Sequence, residues 1–527
     1  MRTLMSPPAV TRALQYSRTL STAPVLSIAS NRGLMAPKML PTYLADARGV
    51  EKFDAVSNPK GVLNLSVAEN QLLSPLLVPK IRSIMGSANA DGRGGLFEKE
   101  WIYYQKTHGS EECRIGLSEH MLRVISRGEY AFDPEKLIVG AGCNAVLENL
   151  LFTIAEAGEG VLIPRPYYAA FEFDLAARAD LKVLPLTVRR AGFEPSSYYP
   201  TVESLEAGYW AAVNKGIKPR ALLLSSPNNP LGFCYPEEVL ATCLEWCESK
   251  EGLHLISDEI YAGSVYRETA DGQPPWVSIA SVAARQGRAL GERVHVIWAL
   301  SKDFALSGLR VGALYTENEA IRLPLQKLND LCQVSSTTQQ VVARLLTDAV
   351  ESEDTACLPR EEQPLLAPPQ PSTQTNALAH YSGEPLEAWA TVMQRYNMAR
   401  MKDRYERLTG VLDDHGVPYL PGGAGLFLWI DLRAYLDFGG GPPPARRSRA
   451  DEGALVGVDE AMMHPRDAEV ERALYLRLIH EYGLLLTPGA SMRTEAPGFF
   501  RCVFTAADDT AFDAALERFA RLGATKR

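Results

Sequence analysis

The chain reads as an α/β protein built on a mostly parallel sheet, with a smaller second domain toward its C-terminus. Three observations predict this. Unbroken apolar runs of strand length recur near residues 137–139, 160–164, 221–224, 253–256 and 294–298. Continuous rather than alternating runs mark strands buried on both faces. Segments of helical character separate these runs, as they do in βαβ units. Polar residues collect just past the carboxyl ends of the runs, where an open α/β sheet takes its ligand.

A length of 527 residues gives room for two or three domains with large cores. The net charge of -9 argues against nucleic acid or another polyanion as partner. No apolar run approaches the roughly 18–20 residues that span a bilayer, so no membrane partner is expected. The eight cysteines form no CxxC pair, which indicates neither a metal site nor a disulfide framework.

Taken in order, the chain starts with a distinctive stretch. Residues 1–45 hold no acidic residue, but they hold Arg2, Arg12, Arg18, Arg32 and Lys38 among many Ser and Thr. That is the composition of a transit peptide, with the mitochondrion ahead of a plastid as its destination. Asn64-Leu65-Ser66-Val67-Ala68-Glu69-Asn70 is a short strand followed by a loop. Residues 91–95, Asp-Gly-Arg-Gly-Gly, are a flexible stretch, and Tyr103-Tyr104 and the turn residue His108 follow. Residues 137–144 read as strand and small-residue turn, Gly140-Ala141-Gly142, opening a helix at 145–155. Such a turn is an anion site, because helix N-termini present free N–H groups and a favourable dipole.

The strand at 160–164 ends in Arg165-Pro166-Tyr167-Tyr168, where a tyrosine could stack on a flat ring or simply pack. The run 221–224 leads into a loop in which two prolines fix the backbone around Asn229. The next run ends at Asp258, with Tyr261 three residues on. A pyridine nitrogen stays protonated only beside a buried carboxylate, and a phenolate oxygen needs donors such as Asn and Tyr. After the run 294–298 comes Ser301-Lys302-Asp303, then Arg310. Lysine forms a Schiff base with a carbonyl when its amine loses its proton, and arginine offers a planar fork to phosphate. Together they suggest a cofactor carrying an aldehyde and a phosphate, as pyridoxal phosphate does.

Residues 351–385 are rich in Pro, Gln, Ser and Glu and read as a disordered surface insert. Residues 388–412 have helical spacing, with Met393, Tyr396, Met401, Tyr405 and Leu408 among the apolar positions, and should join the two domains. A Gly/Pro-rich insert occupies about 438–465. Strands of the second domain are expected at 424–432, 484–489 and 499–504. Arg501 interrupts the last of these. A buried charge needs a partner, either a substrate carboxylate or a protein acid.

These residues together resemble the fold-type I pyridoxal-phosphate enzymes of aminotransferase class I/II, most of all the 1-aminocyclopropane-1-carboxylate (ACC) synthase-like subgroup. The resemblance rests on Ala68-Glu69-Asn70-Gln71-Leu72, His108-Gly109, Pro166-Tyr167-Tyr168, Asn229-Pro230-Leu231-Gly232, Asp258-Glu259-Ile260-Tyr261, Ser301-Lys302-Asp303, Gly308-Leu309-Arg310-Val311-Gly312, Ala424-Gly425-Leu426-Phe427 and Pro497-Gly498-Phe499-Phe500-Arg501. They run in family order from about residue 60 to 505.

The resemblance implies a seven-stranded-type sheet in a large domain at 96–345, an N-terminal arm at 46–95, and a small α+β domain at 386–527. It implies that Lys302 binds the cofactor covalently and then moves the substrate α-proton. Asp258 would pair with the ring nitrogen, Asn229 and Tyr261 with the ring hydroxyl, and Tyr168 would stack. The Ala141 and Gly142 N–H groups, Ser301 and Arg310 would hold the phosphate. Arg501 would bind the substrate carboxylate, and Glu69 would lie near the substrate's amino-acid end. Through a homodimer, Tyr104 or Tyr103 would reach the neighbouring cofactor.

Three positions depart from the subgroup pattern: Thr107 for tyrosine, Ala299 for a hydroxyl residue, and Ser226 for asparagine. Thr107 bears on the reaction, because the missing tyrosine handles cofactor and substrate in ACC synthases. The leading expectation is an amino-acid transaminase acting on amino acids and 2-oxo acids. The alternatives are ACC formation from S-adenosylmethionine, carbon–sulfur lysis, or a non-catalytic relative.

Overall fold

The computed structural model describes residues 30–39, 41–86, 99–188, 192–269, 272–356, 358–366, 387–437 and 463–525. The expected flexible stretch at 91–95 and most of the Gly/Pro-rich insert, residues 438–462, lie outside these residues. Strands are numbered in chain order. β1 (Leu63–Asn64) belongs to the N-terminal arm. β2 (Leu137–Gly140), β3 (Gly160–Pro164), β4 (Lys182–Leu186), β5 (Pro219–Ser225), β6 (His254–Asp258), β7 (Val294–Ala299) and β8 (Gly312–Thr316) form one sheet of order β2-β8-β7-β6-β5-β3-β4. β8 runs antiparallel to both neighbours, and the other pairings are parallel. All six residues of β7 are buried, as are six of seven in β5, because helices cover both faces.

The small domain holds β9 (Tyr419–Leu420), β10 (Phe427–Asp431), β12 (Thr487–Pro488) and β13 (Phe499–Val503) in an antiparallel sheet. The expected single strand at 484–489 is two. β11 (Leu484–Leu485) leaves this sheet to pair in parallel with β1, which ties the arm to the small domain. Helix Trp389–Asp414 links the two cores. Its early residues Trp389, Met393 and Tyr396 pack in the large-domain core, and Met401, Tyr405, Leu408 and Leu412 in the small-domain core. At 1.5 Å per residue its 26 residues span about 39 Å, enough to reach across both.

The expected leader and the expected disordered insert each contain folded residues. The acid-free leader was expected to run through residue 45, yet residues 31–35 and 43–46 form short helices, and Tyr43 packs on the small-domain core. The insert expected at 351–385 is anchored through 366. Leu358 is buried, Lys80 and Asp354 form a 2.9 Å ion pair away from water, and Tyr396 donates to Glu362 at 2.7 Å. Composition over a long window hides the few apolar and charged residues that anchor these stretches. Among the described residues no helix is long and apolar enough to cross a membrane, and no cluster of three or more His, Cys, Asp or Glu could hold a metal ion.

Candidate active site

β7 delivers the lysine. The chain passes from Ala299 into a short helix, Leu300–Asp303, and then folds back on itself. The Leu300 N–H donates to Val311 O and the Leu306 N–H to Leu300 O, each at 3.2 Å. This closed loop returns Arg310 to the strand end, in a left-handed conformation with φ 54°. Lys302 Nζ donates to Ala68 O at 2.6 Å, so the arm closes over the amine. Burial lowers the lysine from its usual range to about 8, while nearby Glu69 pulls the other way. Behind it, Asp303 accepts from Gly263 N (2.8 Å), Ser264 Oγ (2.6 Å) and Trp298 Nε1 (2.8 Å). Asn397 Nδ2 donates to Asp303 O at 3.4 Å and its Oδ1 accepts from Asn70 at 2.9 Å. This buried network fixes the lysine loop against the long helix and the arm.

The expected phosphate site is the start of helix Cys143–Ile154, whose N-cap is Gly142. Gly142 has φ +89°, and a Cβ there would sit 2.3 Å from Arg310 Nη2. Only glycine leaves that cradle open. The Ala141 and Gly142 N–H groups, expected to hold the phosphate, are already used: they donate to Cys332 O (3.0 Å) and Gly140 O (2.7 Å). The helix begins at Cys143 rather than 145, so the unused donors of its first turn are the N–H groups of Cys143 and Asn144. Ser301, also expected at the phosphate, is buried at the start of the lysine turn. Arg310 donates to Ser307 O at 2.9 Å and Ala141 O at 3.3 Å, and its side chain remains solvent-accessible at the cradle.

Asp258 ends β6. Its Oδ1 is buried and has no hydrogen-bond partner, and burial raises the carboxyl to about 7. An orphaned carboxylate oxygen costs stability unless a ligand supplies a donor. Tyr261 is buried, edge-on to Phe427 with centroids 5.3 Å apart, and its phenol is held neutral by that burial. Tyr168 is half-buried, and burial pushes its phenol up to about 12, with Asp258 and Arg501 among the charges it feels.

Arg501 lies on β13, directly across from Trp429 of β10 and Thr487 of β12. It is 3 % exposed. Nη1 donates to Asn229 Oδ1 (2.9 Å), and Nη2 to Ser66 O (2.8 Å) and Thr487 Oγ1 (3.3 Å), while buried Nε has no partner. Among the described residues no carboxylate pairs with it. Asn229 uses its oxygen on Arg501, which leaves its NH₂ as the donor toward a ring oxygen. Glu69 accepts from Ser307 Oγ at 2.9 Å, beside the lysine loop. Tyr104 is wholly exposed and Tyr103 is 59 % exposed, so neither joins the site within one chain.

Sequence reasoning missed Ser66, Ala68, Asn70, Thr487 and Asn397. Two of these act through backbone carbonyls, which carry no residue signature. Asn397 lies within an amphipathic helix pattern that conceals it.

The geometry defines the class: a site for an aldehyde- and phosphate-bearing ring, with an arginine set for a second anion. The orphaned Asp258 oxygen, the open Gly142–Arg310 cradle and the depressed Lys302 fit pyridoxal phosphate. The profile of the family Aminotransferase class I and II matches residues 60–363 and 357–519, and the chain belongs to that family. It is therefore a pyridoxal-phosphate-dependent enzyme. It is similar to 1-aminocyclopropane-1-carboxylate synthase 5 of Oryza sativa subsp. japonica, at 31% identity over 89% of this chain and 75% of the relative. It is also similar to synthase 4 of the same plant, at 30% identity over 89% and 84%. Its fold matches the aspartate aminotransferase of Thermotoga maritima (TM-score 0.60, 18% identity, 94% and 99% covered). It likewise matches the aromatic aminotransferase of Pyrococcus horikoshii OT3 (0.57, 18%, 88% and 95%).

Proposed function

We propose that the protein is an amino-acid transaminase, moving an amino group from an α-amino acid to a 2-oxo acid. The observation that carries this reading is Arg501, a buried guanidinium with an unpartnered Nε and no protein carboxylate against it. Burying a charge so is costly unless a ligand completes it, and a substrate α-carboxylate is the group that fits. Pyridoxal phosphate supplies the electron-withdrawing ring that acidifies the substrate α-proton. Lys302 would hold it and would serve as the base that takes the proton from the substrate α-carbon. A lysine near 8 suits that work, since an appreciable fraction is neutral near pH 7–8. Asp258 would keep the ring nitrogen charged, Asn229 and Tyr261 would donate to the ring oxygen, and Tyr168 would cover the ring. Glu69, held by Ser307, lies toward the substrate amine. A homodimer in which Tyr103 or Tyr104 reaches the neighbouring site is part of the proposal, supported by their exposure. So is a mitochondrial address, supported by the composition of residues 1–45.

A second reading is elimination, either ACC formation from S-adenosylmethionine or carbon–sulfur lysis. Glu69 and the similarity to the plant 1-aminocyclopropane-1-carboxylate synthases favour it. Thr107 favours the transaminase. Its hydroxyl donates inward to Gln326 O at 2.6 Å, so it cannot do what a tyrosine there would do toward a neighbouring site. The test is to mix holoenzyme with a panel of amino acids and S-adenosylmethionine, without oxo acid, and weigh the products. Cofactor recovered as its amine, with the matching oxo acid, is the expected result. Unchanged cofactor with ACC, or with thiol, pyruvate and ammonia, assigns the elimination instead.

A further inference from the structure

One loop joins two residues of the substrate end. Thr487 Oγ1 accepts from Arg501 Nη2 at 3.3 Å, and the chain between them leaves the sheet after β12 and returns at β13. The ladder between these strands is short. β12 contributes only Thr487 and Pro488, opposite Arg501 and Phe500, and proline has no N–H to give. A single side chain holds both feet of the loop instead. Glu471, on helix Pro465–Arg477, accepts from the Ala490 N–H through Oε1 and from the Gly498 N–H through Oε2, each at 2.7 Å. Ala490 lies three residues after Thr487, and Gly498 three residues before Arg501.

The far side of the loop is pinned to the large domain. Met492 O accepts from the Tyr167 N–H at 3.1 Å, Arg493 Nε donates to Glu172 Oε1 at 2.7 Å, and Glu495 pairs with Arg165. Fixed there and at its feet, the loop has little freedom to drift, and the carboxylate sets how far apart the feet stand. Glu471 is fully buried, and among the described residues no cation pairs with it. A carboxylate so placed is costly, and the two main-chain donors offset that cost. From this arrangement we infer that Glu471 is a positioning residue for substrate binding: it sets the spacing of Thr487 and Arg501 and so aims the guanidinium at the α-carboxylate. The inference rests on the reading of Arg501 as the carboxylate site.

The test compares full-chain holoenzymes: wild type, Glu471→Gln, Glu471→Asp and Arg501→Ala. Two ligands are used, the amino acid that wild type uses best and the amine left when its α-carboxyl is removed. Steady-state kinetics gives KM and kcat for the amino acid, and titration of the cofactor absorption band gives Kd for both. Glutamine offers one acceptor and one donor group, so one foot loses its bond. In Glu471→Gln, KM and Kd for the amino acid should rise about five- to tenfold, with kcat changed by less than about twofold and the Kd of the amine unchanged. Glu471→Asp keeps the charge on a shorter stem, and the same values should rise about two- to threefold. A residue that only supports the fold would weaken both ligands alike or neither, and either result in Glu471→Gln overturns the inference. If Glu471→Gln fails to fold, Glu471→Asp decides on the same comparison. Arg501→Ala separates the two readings. If it leaves the preference for amino acid over amine intact, the carboxylate reading falls and this inference falls with it. If it abolishes that preference while the Glu471 variants keep it, this inference alone falls.

Discussion

The two ends of the site are built in different ways. The cofactor end is made within the large domain: the turn before Cys143, Asp258 and Lys302 all sit where strands of one sheet finish. Neighbouring strands fix their separations, so this end is as rigid as the sheet. The substrate end is assembled across the molecule. Arg501 reaches Asn229, 272 positions away, and Ser66, 435 positions away. It exists only when the arm, the small domain and the large domain are docked together. The chain can therefore hold its cofactor in a fixed frame while the substrate end depends on closure.

The sharpest break falls on the cofactor end. Lys302→Ala removes both tether and base, and turnover should fall by about 10⁴-fold or more, checked by single-turnover kinetics. Normal turnover would remove the central residue. At the substrate end, Arg501→Ala should lower kcat/KM by about 10²- to 10³-fold through KM, leaving the bound-cofactor spectrum unaltered. A lost spectrum would mean that the two ends are not separable. Asp258→Asn should cost about 10²-fold in rate. Because its Oδ1 is orphaned in the cofactor-free chain, that chain should melt no lower than wild type.

Lys302 also sets a pH dependence. Only the neutral amine attacks an aldehyde, and burial brings this one to about 8. Cofactor capture by stripped protein should rise about tenfold per pH unit below 8 and level off above it, followed by stopped-flow absorbance. A rise continuing past pH 10 would describe an ordinary exposed lysine. The smallest effect is expected where the two ends meet. Asn70→Ala leaves Asn397 half-satisfied and should cost about 1–2 kcal/mol of stability in denaturant, with only a few-fold change in rate.

Legibility in the sequence follows the same division. Asp258 and Lys302 could be read because unbroken apolar runs locate strand ends, and their chemistry is distinctive. The start of the helix was not legible to the residue: it begins at Cys143 rather than 145, since Cys143 and Asn144 do not look like helix starters and no side chain caps the turn. At the substrate end Arg501 was visible as a charge interrupting an apolar strand. Its partners Ser66 and Thr487 were not, because they meet it through pairings of β12 with β13 and of the arm with the small domain. The docking of Tyr43 on Tyr475 was hidden for another reason: its surroundings have the composition of a leader, and a single aromatic does not change that average.

The claim at the centre is that Lys302 holds pyridoxal phosphate in the cradle between Gly142 and Arg310. Borohydride reduction of the purified holoenzyme, followed by peptide mapping by mass spectrometry, tests it directly. The account predicts one pyridoxyl group per chain, on Lys302. A label on another lysine, or no label on protein saturated with cofactor, would contradict it.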